Sequence, residues 1–165
     1  MTIIHRNDST TFFPIIVAFK PNKRPSFNII STFWAYSEQG RELFVSLDIN
    51  CETSSGVFIL SAHGEMDFHN FRTLRSAVEQ GLADGEKRFL LDLADISYLD
   101  SSALGSLLYC QKKIREHHGH MAVISSEALT DILNLTHLDS YFSMVDSIND
   151  GRQWLSEDKH SAMNG

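Results

Sequence analysis

From residue 45 onward, hydrophobic and polar positions fall into short, regular blocks. "VSLDIN" at 45–50 alternates, and "GVFILSAHG" at 56–64 is an apolar run bounded by glycines, which together predict two strands joined as a hairpin. In "DFHNFRTLRSAVEQGLADG", Phe68, Phe71, Leu74, Val78 and Leu82 recur at helical spacing, with Asp67 as the expected N-cap and a glycine as the stop. "KRFLLDLADI" contains a short strand, Phe89 to Leu93, apolar enough for burial on both faces. Leu104, Leu107, Leu108 and Ile114 mark one face of the next helix, which ends near Gly119. "MAVIS" at 121–125 predicts another buried strand, and Ser126 caps a helix striped by Leu129, Ile132 and Leu133. "YFSMVDS" gives a last short strand, and "INDGRQWL" a C-terminal helix anchored by Trp154 and Leu155. Strands alternating with helices predict an α/β fold with a mixed, largely parallel sheet of four or five strands and helices mostly on one face.

Residues 1–44 break this order. All three prolines lie within 1–25, and "FKPNKRPSFNIISTFWAYSEQGRE" scatters its aromatics without a sustained period of two or 3.6. The stretch reads as an N-terminal extension that packs on the domain or is poorly ordered. It also reads as a mis-assigned translation start, because Arg41 and Glu42 can be back-translated as a purine-rich ribosome-binding sequence and Val45 as an alternative GTG start. The domain itself is then 45–157, and 158–165 a flexible tail.

Composition narrows the class. A chain of 165 residues with 42% hydrophobic and 21% charged residues suits one globular domain with a real core. The net charge of −7 is unevenly spread: residues 1–44 hold five basic against three acidic residues, and 45–165 nine against eighteen. No basic cluster is dense enough to grip a phosphate backbone, so no direct nucleic-acid partner is expected. Cys51 and Cys110 are the only cysteines, which implies neither a disulfide framework nor a zinc site and makes a reduced, cytoplasmic setting the default. "FFPIIVAF" at 12–19 is about half of the ~20 residues that span a bilayer and contains Pro14, so no export signal or membrane attachment is read.

The chemistry concentrates at "YLDSSALGSLL", residues 98–108. Asp100, Ser101 and Ser102 stand where one polar cap would start the helix. They are either over-provided capping groups or the frame for a modifiable hydroxyl. A phosphoryl group on Ser101 would meet free backbone N–H donors and the positive end of the helix dipole. It would add about −1.5 to −2 charges beside Asp100. The turn sits at the end of a strand, where open α/β sheets expose their binding crevices. Ala103 and Gly105 have almost no side chain, so a partner's backbone could come close. In "GEMDFHN" at 64–70, helix capping accounts for Asp67 but leaves Glu65 unexplained.

"LLDLADISYLDSSALGSLL", together with "GEMDFHN", resembles the STAS domains of bacterial anti-sigma-factor antagonists, which carry an Asp-Ser-Ser/Thr-Gly-Leu-Gly signature after a buried strand; the likeness runs over about 48–155. The resemblance implies a partner switch. The unphosphorylated antagonist binds an anti-sigma factor, itself usually a serine kinase of the GHKL type. Phosphorylation of the first signature serine, Ser101 here, blocks binding, and a PP2C-type phosphatase restores it. It also implies a partner-binding set of Glu65, Asp67, Asp100, Ser101, Ser102, Ala103 and Gly105. Ala103 replaces the family's frequent glycine, and alanine suits a helix better by roughly 1 kcal/mol. Relatives with this alanine also resemble regulators that work with response-regulator phosphatases, or in biofilm or surface behaviour, so the final target stays open. A STAS subunit of an ABC-type lipid transporter or another signalling complex is the alternative.

Two other readings are weaker. "HHGH" at 117–120, or His63 with Glu65, Asp67 and His69, could be drawn as metal ligands, yet neither has rigid ligand spacing, and His117 and His118 suit the last turn of a helix. A hydrolase would use Ser101 with Asp100 and His63 or His69, but there is no G-x-S-x-G elbow, glycine-rich phosphate loop or kinase Asp/Asn set. The chain reads as a kinase substrate, not an enzyme, with no cofactor and no metal.

Overall fold

The computed structural model of the chain describes residues 16–19, 27–36 and 42–157. Its elements are β1 (Ile16–Phe19), β2 (Phe27–Tyr36), β3 (Glu42–Ser54), β4 (Val57–Met66), α1 (Phe71–Ala83), β5 (Arg88–Leu99), α2 (Ser101–Glu116), β6 (His120–Ile124), α3 (Glu127–Thr136), a 3-10 turn (Asp139–Tyr141), β7 (Ser143–Met144) and α4 (Ile148–Ser156). The seven strands lie in the sheet in chain order. Neighbours are antiparallel from β1 to β4 and parallel from β4 to β7, so the sheet is mixed. Strands β3–β7 are the five expected. β2 extends the sheet antiparallel to β3, and β1 antiparallel to β2, from a stretch rich in β-branched and aromatic residues that lacks a clean alternation. The rest of the N-terminal stretch and the 158–165 tail lie outside the described residues.

The β3–β4 hairpin turns on two residues, Ser55 and Gly56, with φ of 54° and 74°. Two consecutive positive φ values match a two-residue turn to the twist of its strands. After β4 every step across the sheet runs in one direction. Right-handed crossovers then place α1, α2 and α3 on the same face. Beneath them lies the main core, with Leu74 and Val78, Leu107 and Ile114, and Leu129 and Leu133 packed over Leu60, Phe89, Leu91 and Val123. Alternate residues of the same strands, Val57, Ile59 and Leu90, point the other way and meet Leu155 of α4. Both cysteines are buried free thiols, and desolvation pushes each up to about 12, so they serve as small apolar core residues.

Two helix ends differ from expectation. Asp67 does not cap α1: the helix starts at Phe71 and Asn70 holds the cap position. Phe68, expected in the buried stripe, precedes the helix and is 60% exposed. At the end of α2 the left-handed residue is His118, with φ 57°, rather than Gly119. Gly119 is there for space, since a Cβ would fall 2.7 Å from the Lys87 carbonyl oxygen.

Strand β5 runs six residues past the expected Leu93. Its pairing with β4 slips twice, between Ser61 and His63 and between Gly64 and Glu65, so β5 carries two extra residues. Its burial changes accordingly: Leu93, Ile96 and Leu99 are buried, with two exposed residues between each. Such bulges twist a strand and re-aim its end. Here they deliver Asp100 to the rim beside the end of β4.

Gly81 brings α1 close to the sheet; a Cβ there would lie 2.9 Å from Phe89 Cε1 and 3.2 Å from Phe58 Cε2. Gly81→Val is therefore expected to lower the unfolding free energy by about 1–3 kcal/mol in urea titrations. Unchanged stability would mean that these rings can move aside.

Candidate partner-binding site

The site is made by two loops, one after β4 and one after β5. Parallel pairing sets Met66 beside Leu99, so both strands release their chains at the same edge. The Asp100 N–H donates to the Met66 carbonyl at 3.2 Å. Its carboxylate gathers three backbone donors: Oδ1 accepts from Ser102 N (2.8 Å) and Ala103 N (3.0 Å), and Oδ2 accepts from Phe68 N (3.0 Å). One side chain thus caps α2 and ties the other loop to it.

Asn70, almost fully buried, braces the β4–α1 loop. Its Oδ1 accepts from Asp67 N at 2.9 Å and its Nδ2 donates to the Glu65 carbonyl at 2.8 Å. Asp67 Oδ1 accepts from His69 N at 2.9 Å, a turn ahead of the helix and not a helix cap. Glu65 is exposed at the rim, paired with Tyr98 across the strands.

Ser101 is the first residue of α2 and is exposed. The amides expected to be free for a phosphoryl group are partly committed, because Asp100 already holds those of Ser102 and Ala103. Gly105, one turn on along the same helix face, borders open space: an added Cβ would meet nothing within 4 Å. Ala103 departs from expectation. It is 0% exposed and packed in the main core, so its side chain cannot contribute to a docking surface. Its small size serves helix-to-sheet packing. Ser102 is half-buried and lies one turn before Ser106, whose hydroxyl donates to the Ser102 carbonyl at 3.1 Å and accepts from Arg75 of α1 at 3.0 Å.

Sequence reasoning missed two exposed aromatic residues on this edge, Phe68 and Tyr98, the latter 51% exposed. Helical spacing drew Phe68 into the α1 stripe, and only the bulges turn Tyr98 outward. Asn70, three residues after Asp67, was the available signal that the loop closes on itself before the helix begins. His63 pairs with Asp95, Nδ1 to Oδ2 at 3.0 Å. Among the described residues no helix is long and apolar enough to cross a membrane, and no three His, Cys, Asp or Glu side chains gather as metal ligands. A cavity of about 370 Å³ at the end of β6, lined by residues such as Ser125, Asn134 and Asp146, holds none of the predicted site residues.

The STAS-domain family model matches residues 48–151, well over half of the chain, including both loops of the site. The chain belongs to the STAS-domain family. An anti-sigma F factor antagonist of Paenibacillus polymyxa is 31% identical over 80 residues, covering 48% of this chain and 68% of the relative. RsfB, an anti-sigma-F factor antagonist of Mycobacterium tuberculosis, is 25% identical over 105 residues, covering 64% and 86%. The crystal structure of an anti-sigma factor antagonist from Mycobacterium paratuberculosis shares the fold, with a TM-score of 0.60 at 23% identity over 67% of this chain and 95% of that one. β1 and β2 precede the region matched as a STAS domain, and the Asp100 turn lies inside it.

Asp100→Ala removes a cap and the tie between loops, and is expected to cost about 1–2 kcal/mol of stability. Asp100→Asn keeps an acceptor and should cost less. Amide exchange at Ser102, Ala103 and Phe68 should quicken together in the alanine form; acceleration at Ser102 and Ala103 alone would show that the Phe68 bond is not a tie.

Proposed function

We propose that residues 45–157 act as an anti-sigma-factor antagonist in a phosphorylation-controlled partner switch in the cytoplasm. The unphosphorylated domain binds an anti-sigma factor of the GHKL serine-kinase type through the rim that carries Glu65, Asp67, Asp100, Ser101, Ser102 and Gly105, with Phe68 and Tyr98 as apolar anchors. Phosphorylation of Ser101 blocks that binding, and a PP2C-type phosphatase restores it. In this reading the chain is a substrate and a binding module, with no catalytic residue of its own.

The observation that carries the reading is the exposed Ser101 hydroxyl at the start of α2, between the Asp100 carboxylate and the open strip at Gly105. The names of the relatives point the same way. A phosphoryl group at Ser101 sets up to two negative charges beside a carboxylate whose hydrogen bonds are already made to neighbouring amides. Burying that charge against a partner carries a desolvation penalty of several kcal/mol unless the partner supplies cations. The backbone that frames the hydroxyl does not have to move, so the switch alters docking while leaving the fold in place.

The test is a pair of variants measured by calorimetry against the purified anti-sigma factor. Ser101→Ala should bind as the unmodified chain does and take up no phosphate from the kinase and ATP. Ser101→Asp should bind at least about tenfold more weakly, a difference of ~1.4 kcal/mol, although its charge is smaller than a phosphoryl group's. Equal affinity of the alanine, aspartate and phosphorylated forms would return the chain to the alternative of a subunit in a transporter or another signalling complex. Gly105→Ala separates docking from folding: it should gain up to about 1 kcal/mol of stability from helix propensity while weakening the complex.

A further inference from the structure

The two signature serines face different surroundings. Ser101 shares a face of α2 with Gly105, whereas Ser102 shares one with Ser106 and Tyr109, four and seven residues later. That second face borders α1. There Arg75 donates from Nε to Ser106 Oγ at 3.0 Å. Its guanidinium carbon lies 4.9 Å from the Phe71 ring centre and 4.6 Å from that of Tyr109, so two aromatic rings and a hydroxyl hold the group in place. Its terminal nitrogens have no hydrogen-bond partner among the described residues. Arg72 stands over the same Phe71 ring at 5.7 Å. Phe71, Arg72, Arg75, Glu79 and Tyr109 line an open groove of about 300 Å³ between the helices, about two turns along α2 from Ser102.

We propose that Ser102 is a second phosphoryl-acceptor position, and that Arg75 holds a phosphoryl group placed there within the same chain. In the transfer, a protein kinase breaks the bond between the γ-phosphorus of ATP and its bridging oxygen and forms a bond to Ser102 Oγ. ADP leaves, and the hydroxyl proton passes to the kinase's base. A fixed guanidinium whose terminal N–H groups have no partner among the described residues is the receptor that planar, two-pronged recognition of phosphate calls for. Two carboxylates oppose it. Glu79 is engaged by the Tyr109 hydroxyl at 2.6 Å, and Asp100 by the amides of α2 and Phe68. Arg72 and Arg75 facing the groove set two positive charges against these two carboxylates. A phosphoryl group on Ser102 therefore bridges α1 and α2, while one on Ser101 points toward the partner. The inference goes beyond the Ser101 switch and does not depend on it.

The test needs no partner protein. Full-length chain carrying phosphoserine at 102 or at 101, installed during translation, is titrated by phosphorus NMR through its second ionisation, near pH 6 in an unpaired phosphoserine. At 102, the Arg75→Gln change should raise that ionisation by about 0.5–1 unit, a three- to tenfold change in proton affinity; at 101 it should change it less than twofold. Arg75→Lys, which keeps the charge and loses the planar stacking, should fall between. Indifference of the 102 phosphoryl to Arg75→Gln, or an equal response at 101, would overturn the proposal. Should Arg75→Gln not fold, the comparison between positions in the otherwise unchanged chain decides, and ionisation at 102 no lower than at 101 overturns it.

Discussion

Three backbone N–H groups from two separate loops converge on the carboxylate of Asp100. Two open α2 and the third belongs to Phe68 in the β4–α1 connection. A carboxylate in this position satisfies orphan amides at a helix start and also ties together two chain segments 32 residues apart in sequence. The rim can present Ser101 in one orientation because the residue before it is held from three sides. Without that convergence the two loops would be independent surface connections, with the mobility such connections usually show.

The sheet sets up this convergence. Parallel β4 and β5 end together, and the two slips in their register bend β5 so that Leu99 is buried while Tyr98 faces outward. At one bulge the Ser97 hydroxyl donates to the Gly64 carbonyl at 3.2 Å, filling in for a ladder bond. The one-way progression from β4 to β7 then puts three helices on a single face. α1 and α2 become neighbours, and a groove forms between them. The rim that carries Ser101 and the Arg75 groove are two outcomes of one topology.

Helix geometry separates the adjacent serines. Successive residues of an α-helix point about 100° apart, so neighbouring hydroxyls at the start of α2 see different worlds. Ser101 is exposed, on the face left bare by Gly105. Ser102 shares its helix face with Ser106, which accepts from Arg75 of α1. Ala103 completes the turn by pointing into the core. Three consecutive small residues are thus exposed, half-buried and buried in turn.

Much of this was legible from residues alone, because it depends on short-range physics. The Ser126 cap of α3, the stripes of α2 and α3, the hairpin of β3 and β4, and Asp100 at a strand-to-helix turn follow from hydrogen bonds and periodicities that act within a few residues. The sequence by itself determined the class of fold and the place of the serine turn. Only the tertiary structure decided that β5 continues through its bulges, that Asp67 serves a loop while Asn70 holds the cap position, that Phe68 is exposed and that Ala103 is buried. Apart from the Asp67–Asn70 loop, which closes locally, these depend on a partner distant in sequence: the Asp100 carboxylate for Phe68, the β4 register for β5 and its Tyr98, the sheet for Ala103. Periodicity reports which face of an element is apolar. It does not report where a neighbouring strand slips by one residue, and that slip sets which side chains reach the rim.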